Sequence, residues 1–295
     1  MCGINGIYAY RSSAPAIDPA ELKATRDHMA ARGPDGQGAW ISANQRLGFG
    51  HRRLSIIDLS ARAAQPMLSA DGTLAITFNG EIYNHHALRQ RLEARGCRFR
   101  TTSDTEVLLQ LYAEHGDGML EQLRGMFAFA LWDAPRRRLL LARDPYGIKP
   151  LYIADDGRTL RFASQVKALL AGGGIPTQAD PAGEAGFYLF GSVPEPFTCY
   201  RAIRALPAGC TLAIEGEWSS APQPYARLAE AFCGSEWNYC KPRAPRSATP
   251  TRTCPSSCAC ANTTSTWHPS RSRRRPWPPP TACCSPPTTT ASTTT

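Results

Sequence analysis

Hydrophobic and polar positions repeat with a changing period along the chain, and each change of period marks an element. Ile4-Asn5-Gly6-Ile7-Tyr8-Ala9-Tyr10 reads as a short strand. Asp18-Pro19-Ala20-Glu21 combines an N-cap acid, proline at the first helical position and a capping-box glutamate, and predicts a helix running to about Ala31. Leu74 to Asn79 reads as a strand closed by Gly80, and a helix over roughly residues 86–95 is stopped by Gly96. Ser103-x-x-Glu106 is a second capping box. The helix it opens carries Val107, Leu108, Leu111 and Tyr112 on one face and ends near Gly116. Phe127 to Asp133 and Arg138 to Arg143 are apolar runs about a turn at Ala134-Pro135, and short strands continue to about Ile214. Strands in pairs, with helices grouped between them, predict an α+β chain with antiparallel sheets, not a doubly wound parallel sheet.

After Phe232 this patterning stops. Residues 233–295 contain no Leu, Ile, Val, Met or Phe. No core can form without them, and ordering the backbone alone costs roughly 1–2 kcal/mol per residue. The reading is therefore a folded domain over 1–232 and a disordered tail over 233–295. The tail's alphabet of Thr, Ser, Pro, Arg, Ala, Cys and Trp is what a GC-rich gene gives when read out of frame. A natural Pro/Thr/Ser-rich linker is the alternative; it accounts for the Pro and Thr but poorly for Cys283-Cys284 and the scattered Trp.

Charge and cysteine divide at the same place. The formal net charge is +9 over 295 residues, but the tail holds eight basic residues against one acidic, Glu236, which leaves +2 for residues 1–232. The basicity belongs to the tail and points to no nucleic-acid partner for the folded part. Seven of the eleven cysteines also lie in the tail. Cys2, Cys97, Cys199 and Cys210 remain, a usage ordinary for a reduced cytosolic protein. Cys254, Cys258, Cys260 and His268 lack the Cys-x2-Cys spacing of a zinc knuckle, and Arg273-Arg274-Arg275 without a fold would touch phosphates only non-specifically. No apolar run approaches the length of a membrane span, and the N-terminus lacks the regions of a signal peptide. The expected location is the cytoplasm, with no membrane partner.

Chemistry enters at the second residue. Removal of Met1 before a small residue leaves Cys2 with a thiol and a free α-amine, whose reference pKa of about 7.7–8.0 lets it act as a base near neutrality. Taken alone, Cys2 is equally a chance cysteine after the start methionine. Asn79-Gly80 alone is a common hairpin-turn dipeptide, Arg53 alone is half of a solvated basic pair, and Asp104 alone belongs to a helix-start cluster.

The order of the motifs decides between these alternatives. Met1-Cys2-Gly3-Ile4, Arg32-Gly33-Pro34-Asp35, Gly50-His51-Arg52-Arg53-Leu54-Ser55-Ile56-Ile57-Asp58, Gln65-Pro66, Phe78-Asn79-Gly80-Glu81-Ile82-Tyr83-Asn84 and Ser103-Asp104-Thr105-Glu106 follow one another. Gly125 to Ala130, Ala142-Arg143-Asp144-Pro145-Tyr146-Gly147-Ile148-Lys149-Pro150-Leu151-Tyr152 and Leu206-Pro207-Ala208-Gly209 extend the series. Together they resemble the class II glutamine amidotransferase domain of asparagine synthetases, over the whole of the patterned part of the chain.

The resemblance implies an N-terminal-nucleophile hydrolase fold, an αββα sandwich of two antiparallel sheets. It implies that Cys2 attacks the side-chain amide of glutamine to give a thioester, and that Asn79 and Gly80 form the oxyanion hole. Arg53 would hold the glutamine α-carboxylate, and Glu81 and Asp104 its α-ammonium. Leu54, Ser55, Ile56 and Ile57 would line the pocket wall. Glutamine hydrolysis would need no cofactor or metal. Relatives use ATP and magnesium in a second domain, through a Ser-Gly-Gly-x-Asp-Ser loop that this sequence lacks, to convert aspartate to asparagine. Homodimers occur among relatives; the oligomeric state here stays open, as does a second reading, a truncated product without synthetase activity whose tail binds metal or polyanions adventitiously. Arg143 and Asp144 are expected to be structural, as an ion pair beside the Gly147 turn, and His51 to support the strand of Arg53. Two words depart from the family: Ala31 precedes Arg32-Gly33-Pro34-Asp35 where histidine is usual, and Gln165 stands where glutamate is usual.

Overall fold

Strand β1 (Gly3–Ala9) leads through helix α1 (Pro19–His28) to the hairpin of β2 (Gly36–Ile41) and β3 (Leu47–Arg53). A loop and the short β4 (Met67–Leu68) precede β5 (Leu74–Ile82), α2 (His85–Ala94) and α3 (Asp104–His115). Next come β6 (Gly125–Asp133), β7 (Arg138–Arg143), β8 (Tyr152–Asp155), β9 (Thr159–Ala163), α4 (Val166–Ala171) and α5 (Pro181–Phe190). The short β10 (Arg204–Ala205), β11 (Cys210–Glu215), β12 (Trp218–Ser219) and β13 (Gln223–Pro224) end the path. This computed structural model describes residues 1–226; the expected domain boundary at 232 and the expected disordered tail lie outside the described residues.

The strands form two antiparallel sheets, one in the order β10-β8-β9-β1-β3-β2 and one in the order β12-β11-β7-β6-β5-β4, with β13 beside β11. Period-2 alternation assigns their faces. On β6, Ala128, Ala130 and Trp132 face the other sheet, where they meet Ile4, Tyr8, Phe49 and Phe162. Phe127, Phe129 and Leu131 turn the opposite way, onto Leu88, Leu92, Val107, Leu108 and Leu111 of α2 and α3. On β1, Ile7 and Ala9 lie against Leu22 of α1. Helices thus cover the outer face of each sheet, and the architecture is the αββα sandwich that the motifs implied.

Three local readings change. The strand expected to close at Gly80 continues to Ile82, and Asn79-Gly80 is not a turn: Asn79 pairs with Ala128 and Gly80 with Phe127. Glycine is needed there for space, because a Cβ at position 80 would stand 2.4 Å from the Met126 carbonyl oxygen. Ser103 does cap α3, its hydroxyl accepting from the Thr105 N–H at 3.2 Å. Glu106, however, completes no capping box. Its buried carboxylate accepts from the Arg100 and Thr101 N–H groups and the Thr101 hydroxyl. Arg143 and Asp144, finally, do not pair with each other. Arg143 pairs with Glu195 at 2.8 Å and donates to the carbonyls of Gly147, Lys149 and Leu206. Asp144 accepts from the N–H groups of Phe127, Tyr146, Ile148 and Lys149. Adjacent residues at a strand end point apart, so each finds its own partners.

Candidate active site

Cys2 stands immediately before β1, whose first pairs are Gly3 with Arg52 and Ile4 with His51. It therefore meets the far end of β3, where the Leu54 N–H donates to Sγ at 3.3 Å and Sγ lies 3.5 Å from the Leu54 carbonyl oxygen. Arg32 Nε donates to the Cys2 carbonyl at 3.1 Å, and the Met1 ammonium donates to the Arg32 carbonyl at the same distance. The chain start is held from both sides of the thiol.

The second sheet contributes β5. His51 and Thr77 join the sheets here: His51 Nε2 lies 3.2 Å from the Phe78 carbonyl oxygen, and the Thr77 hydroxyl donates to the Gly50 carbonyl at 3.3 Å. Burial pushes the His51 imidazole down to about 4, so near neutral pH it is uncharged and Nε2 carries the proton it donates. Beyond this bridge Asn79 is only 1% exposed, yet its Nδ2 makes no hydrogen bond. A buried amide donor without a partner costs about 1–3 kcal/mol, so its persistence calls for a reason.

Cys2 and Asn79 share a cavity of ≈190 Å³. Around it the structure gathers Arg53, Leu54, Ile56, Ile57, Gly80, Glu81 and Asp104 from the expected set. Ser55 is not in the wall; its N–H donates to the Asp35 carboxylate at 2.8 Å. Arg53 binds back to its own loop, donating Nη1 to the Ser60 carbonyl at 3.0 Å and Nη2 to the Asp58 carbonyl. Of the five N–H bonds of a guanidinium, three remain for another ligand. Asp58 ties the same loop to the residues before α3, accepting from the Thr102 N–H at 2.9 Å and the Thr102 hydroxyl at 3.0 Å. Hydrogen bonds from Ser60 first, and then those from Thr102, hold its carboxyl well below the usual carboxylate range.

Asp104 opens α3 with its side chain buried. Its Oδ2 accepts from the Ile82 N–H at 3.1 Å. Burial nevertheless pushes its carboxyl up, more than that bond and the nearby His85 bring it down. Several lining residues were not singled out from the sequence: Met1, Asp58, Gln65, Ser103, Thr105, Met126 and Lys149. Gln65 was visible as a motif word. Its side chain accepts from the Phe78 N–H at 2.6 Å and donates to the Thr105 hydroxyl at 3.2 Å, joining β5 to α3.

Known proteins match the same part of the chain. The profile of the family described as "Glutamine amidotransferase domain" matches residues 1–226. The chain is 40% identical over 215 residues to asparagine synthetase [glutamine-hydrolyzing] 1 of Bacillus subtilis, covering 72% of this chain and 33% of that protein. It is 39% identical over 232 residues to a putative asparagine synthetase of Mycobacterium tuberculosis, covering 74% and 35%. With asparagine synthetase B of Escherichia coli it shares 43% over 171 residues, covering 58% and 30%. The chain thus spans about a third of the length of the curated relatives it matches. In fold it is similar to the phosphoribosylpyrophosphate amidotransferase of B. subtilis solved with ADP and GMP, at a TM-score of 0.54 and 22% identity over 76% of this chain and 49% of that one. Its first 226 residues belong to the glutamine amidotransferase domain family, in the form found in asparagine synthetases.

Proposed function

We propose that the domain, taken as residues 1–232, hydrolyses glutamine to glutamate and ammonia through a thioester on Cys2. The observation that carries this reading is the buried Asn79 amide, a donor without a partner in the same cavity as the thiol. Once Met1 is removed, the Cys2 α-amine takes the thiol proton and sulfur attacks the side-chain amide carbon. Asn79 Nδ2 and the Gly80 N–H receive the negative oxygen, so the donor idle in the resting site gains its partner at the top of the barrier. The amine then gives its proton to the leaving ammonia, and water cleaves the thioester to glutamate. Met1 itself lines the cavity, so its removal both frees the base and opens the site.

In this scheme Arg53 binds the α-carboxylate with its remaining N–H bonds, while Glu81 and Asp104 bind the α-ammonium. The buried Asp104 suits that role, because a cation beside it offsets the desolvation that opposes its charge. Leu54, Ile56 and Ile57 form the wall, and Ser55 supports it through Asp35. Hydrolysis so arranged needs no cofactor. ATP and magnesium would belong to the amidation step of longer relatives. No described helix is long and apolar enough to cross a membrane; the cytoplasm is the proposed location.

The test is release of glutamate from glutamine by the purified chain, with intact mass showing whether Met1 is absent. Cys2→Ala is expected to abolish it, and Asn79→Ala to lower kcat by about a hundredfold to a thousandfold. Full activity in Cys2→Ala, or equal activity with Met1 fully retained, would remove Cys2 or its amine from the mechanism.

A further inference from the structure

Lys149 lies in the wall of the Cys2 cavity, and no role in the scheme above falls to it. Its main chain is clamped on both sides. The N–H donates to Asp144 Oδ2 at 3.0 Å, and the carbonyl accepts from Arg143 Nε at 2.9 Å. The residue is 6% exposed, and its ammonium makes no hydrogen bond or ion pair with any described residue. The side chain thus lines the cavity with its three donors unused.

The charges that face it explain what such a cation can do. Arg32 repels it; Asp144, Glu81 and, once ionised, the Cys2 sulfur attract it. Burial, followed by Arg32, holds the ammonium below the ordinary lysine range. Asp144 already accepts from four backbone N–H groups, so it has little need of a fifth donor. Glu81 and the sulfur of Cys2 remain, and of these only the sulfur acquires charge as the reaction proceeds.

We propose that Lys149 belongs to the hydrolytic centre, its ammonium stabilising the negative charge that forms on the Cys2 sulfur when the thiol gives up its proton and again when the thioester breaks. No covalent bond to Lys149 forms, and the proton still travels through the Cys2 α-amine. The role depends on the thioester chemistry for its kinetic consequences, but not for its effect on the bare thiol.

The experiment compares the full chain, purified with Cys2 as first residue, as wild type, Lys149→Met and Lys149→Arg. Lys149→Met is expected to lower kcat about tenfold to a hundredfold, with KM for glutamine changed less than about threefold. Alkylation of Cys2 by iodoacetamide, followed by mass, is expected to slow about tenfold, because only the thiolate reacts. Lys149→Arg restores most of both. It also moves the alkaline fall of kcat to higher pH, since a lysine held low loses its charge where a guanidinium keeps it. If Lys149→Met leaves kcat and alkylation unchanged, the proposal is wrong. It is equally wrong if only KM rises, which would assign Lys149 to Glu81 and the glutamine backbone, or if Lys149→Arg is no better than Lys149→Met. A wild type inactive on glutamine, whose Cys2 is still alkylated more slowly in Lys149→Met, would support Lys149 and sink the glutaminase reading instead. Should Lys149→Met not fold, the shift of the alkaline limb in Lys149→Arg decides.

Discussion

The space between the two sheets has two ends built on opposite rules. At one end Tyr8 meets Trp132 edge to face at 5.3 Å, and Phe49 meets Phe162 at 5.9 Å. There apolar side chains of the two sheets pack on one another, Leu47, Leu139, Leu141 and Leu160 among them. Toward the other end the same strand faces turn polar in step: Ile4 gives way to Cys2 just before β1, Phe49 to His51 and Arg53 on β3, and Ala75 to Thr77 and Asn79 on β5. His51 Nδ1 and Asn79 Nδ2 are buried here without a hydrogen bond. One end contributes the stability that lets the other hold donors in wait.

The sharpest way to break this division is at the filled end. Phe49→Ala should cost about 3–5 kcal/mol of stability, read as a lower urea midpoint. Molecules that remain folded should keep glutaminase activity within about threefold. A folded variant that has lost activity would show that the two ends are not separable.

A smaller effect lies at the bridge between them. His51 titrates at about 4 in the folded state and near 6.5 when unfolded, so acid favours the unfolded chain. The His51 contribution to stability should be flat above pH 6.5, fall by about 3 kcal/mol between 6.5 and 4, and level off below. His51→Gln should remove that slope. Asp104, whose carboxyl burial raises, acts with the opposite sign, because protonation relieves its desolvation; the comparison is therefore variant against wild type across the same pH series. An unchanged slope in His51→Gln would place the acid sensitivity elsewhere.

Smallest in stability, and opposite in direction, is Asp104→Asn. It keeps an acceptor for the Ile82 N–H but sheds a buried charge, so stability should stay level or rise, by about 1 kcal/mol at most. KM for glutamine should rise about tenfold or more. In the wild type KM should start to climb on acidification above the ordinary carboxylate range, a limb the variant lacks. A variant less stable with unaltered KM would make Asp104 a part of the frame, not of the pocket.

Much of the frame was readable from pattern alone, because strands buried on both faces spell themselves out, as Phe127 to Trp132 do, and Asp18 and Ser103 mark helix starts. The pocket was readable only as an ordered series of motifs, since no local rule separates Asn79-Gly80 as a hairpin turn from Asn79-Gly80 in mid-strand. The difference is made by Met126 and Phe127 on a partner strand far along the chain. Glu106 misled for the same reason: its true partners, Arg100 and Thr101, precede the helix in a loop with no periodicity. Lys149 was in plain view among the motif words, but nothing in a linear sequence says that a lysine after a turn will face a thiol at the chain start.

Strand β5 writes two messages in alternate letters. Leu74, Ile76 and Phe78 address the helices; Ala75, Thr77 and Asn79 address the other sheet. Insertion or loss of one residue before Asn79 would exchange the two, turning Phe78 toward Cys2 and the Asn79 amide into the helix-side core. Changes in the length of this strand can therefore be inherited only in pairs.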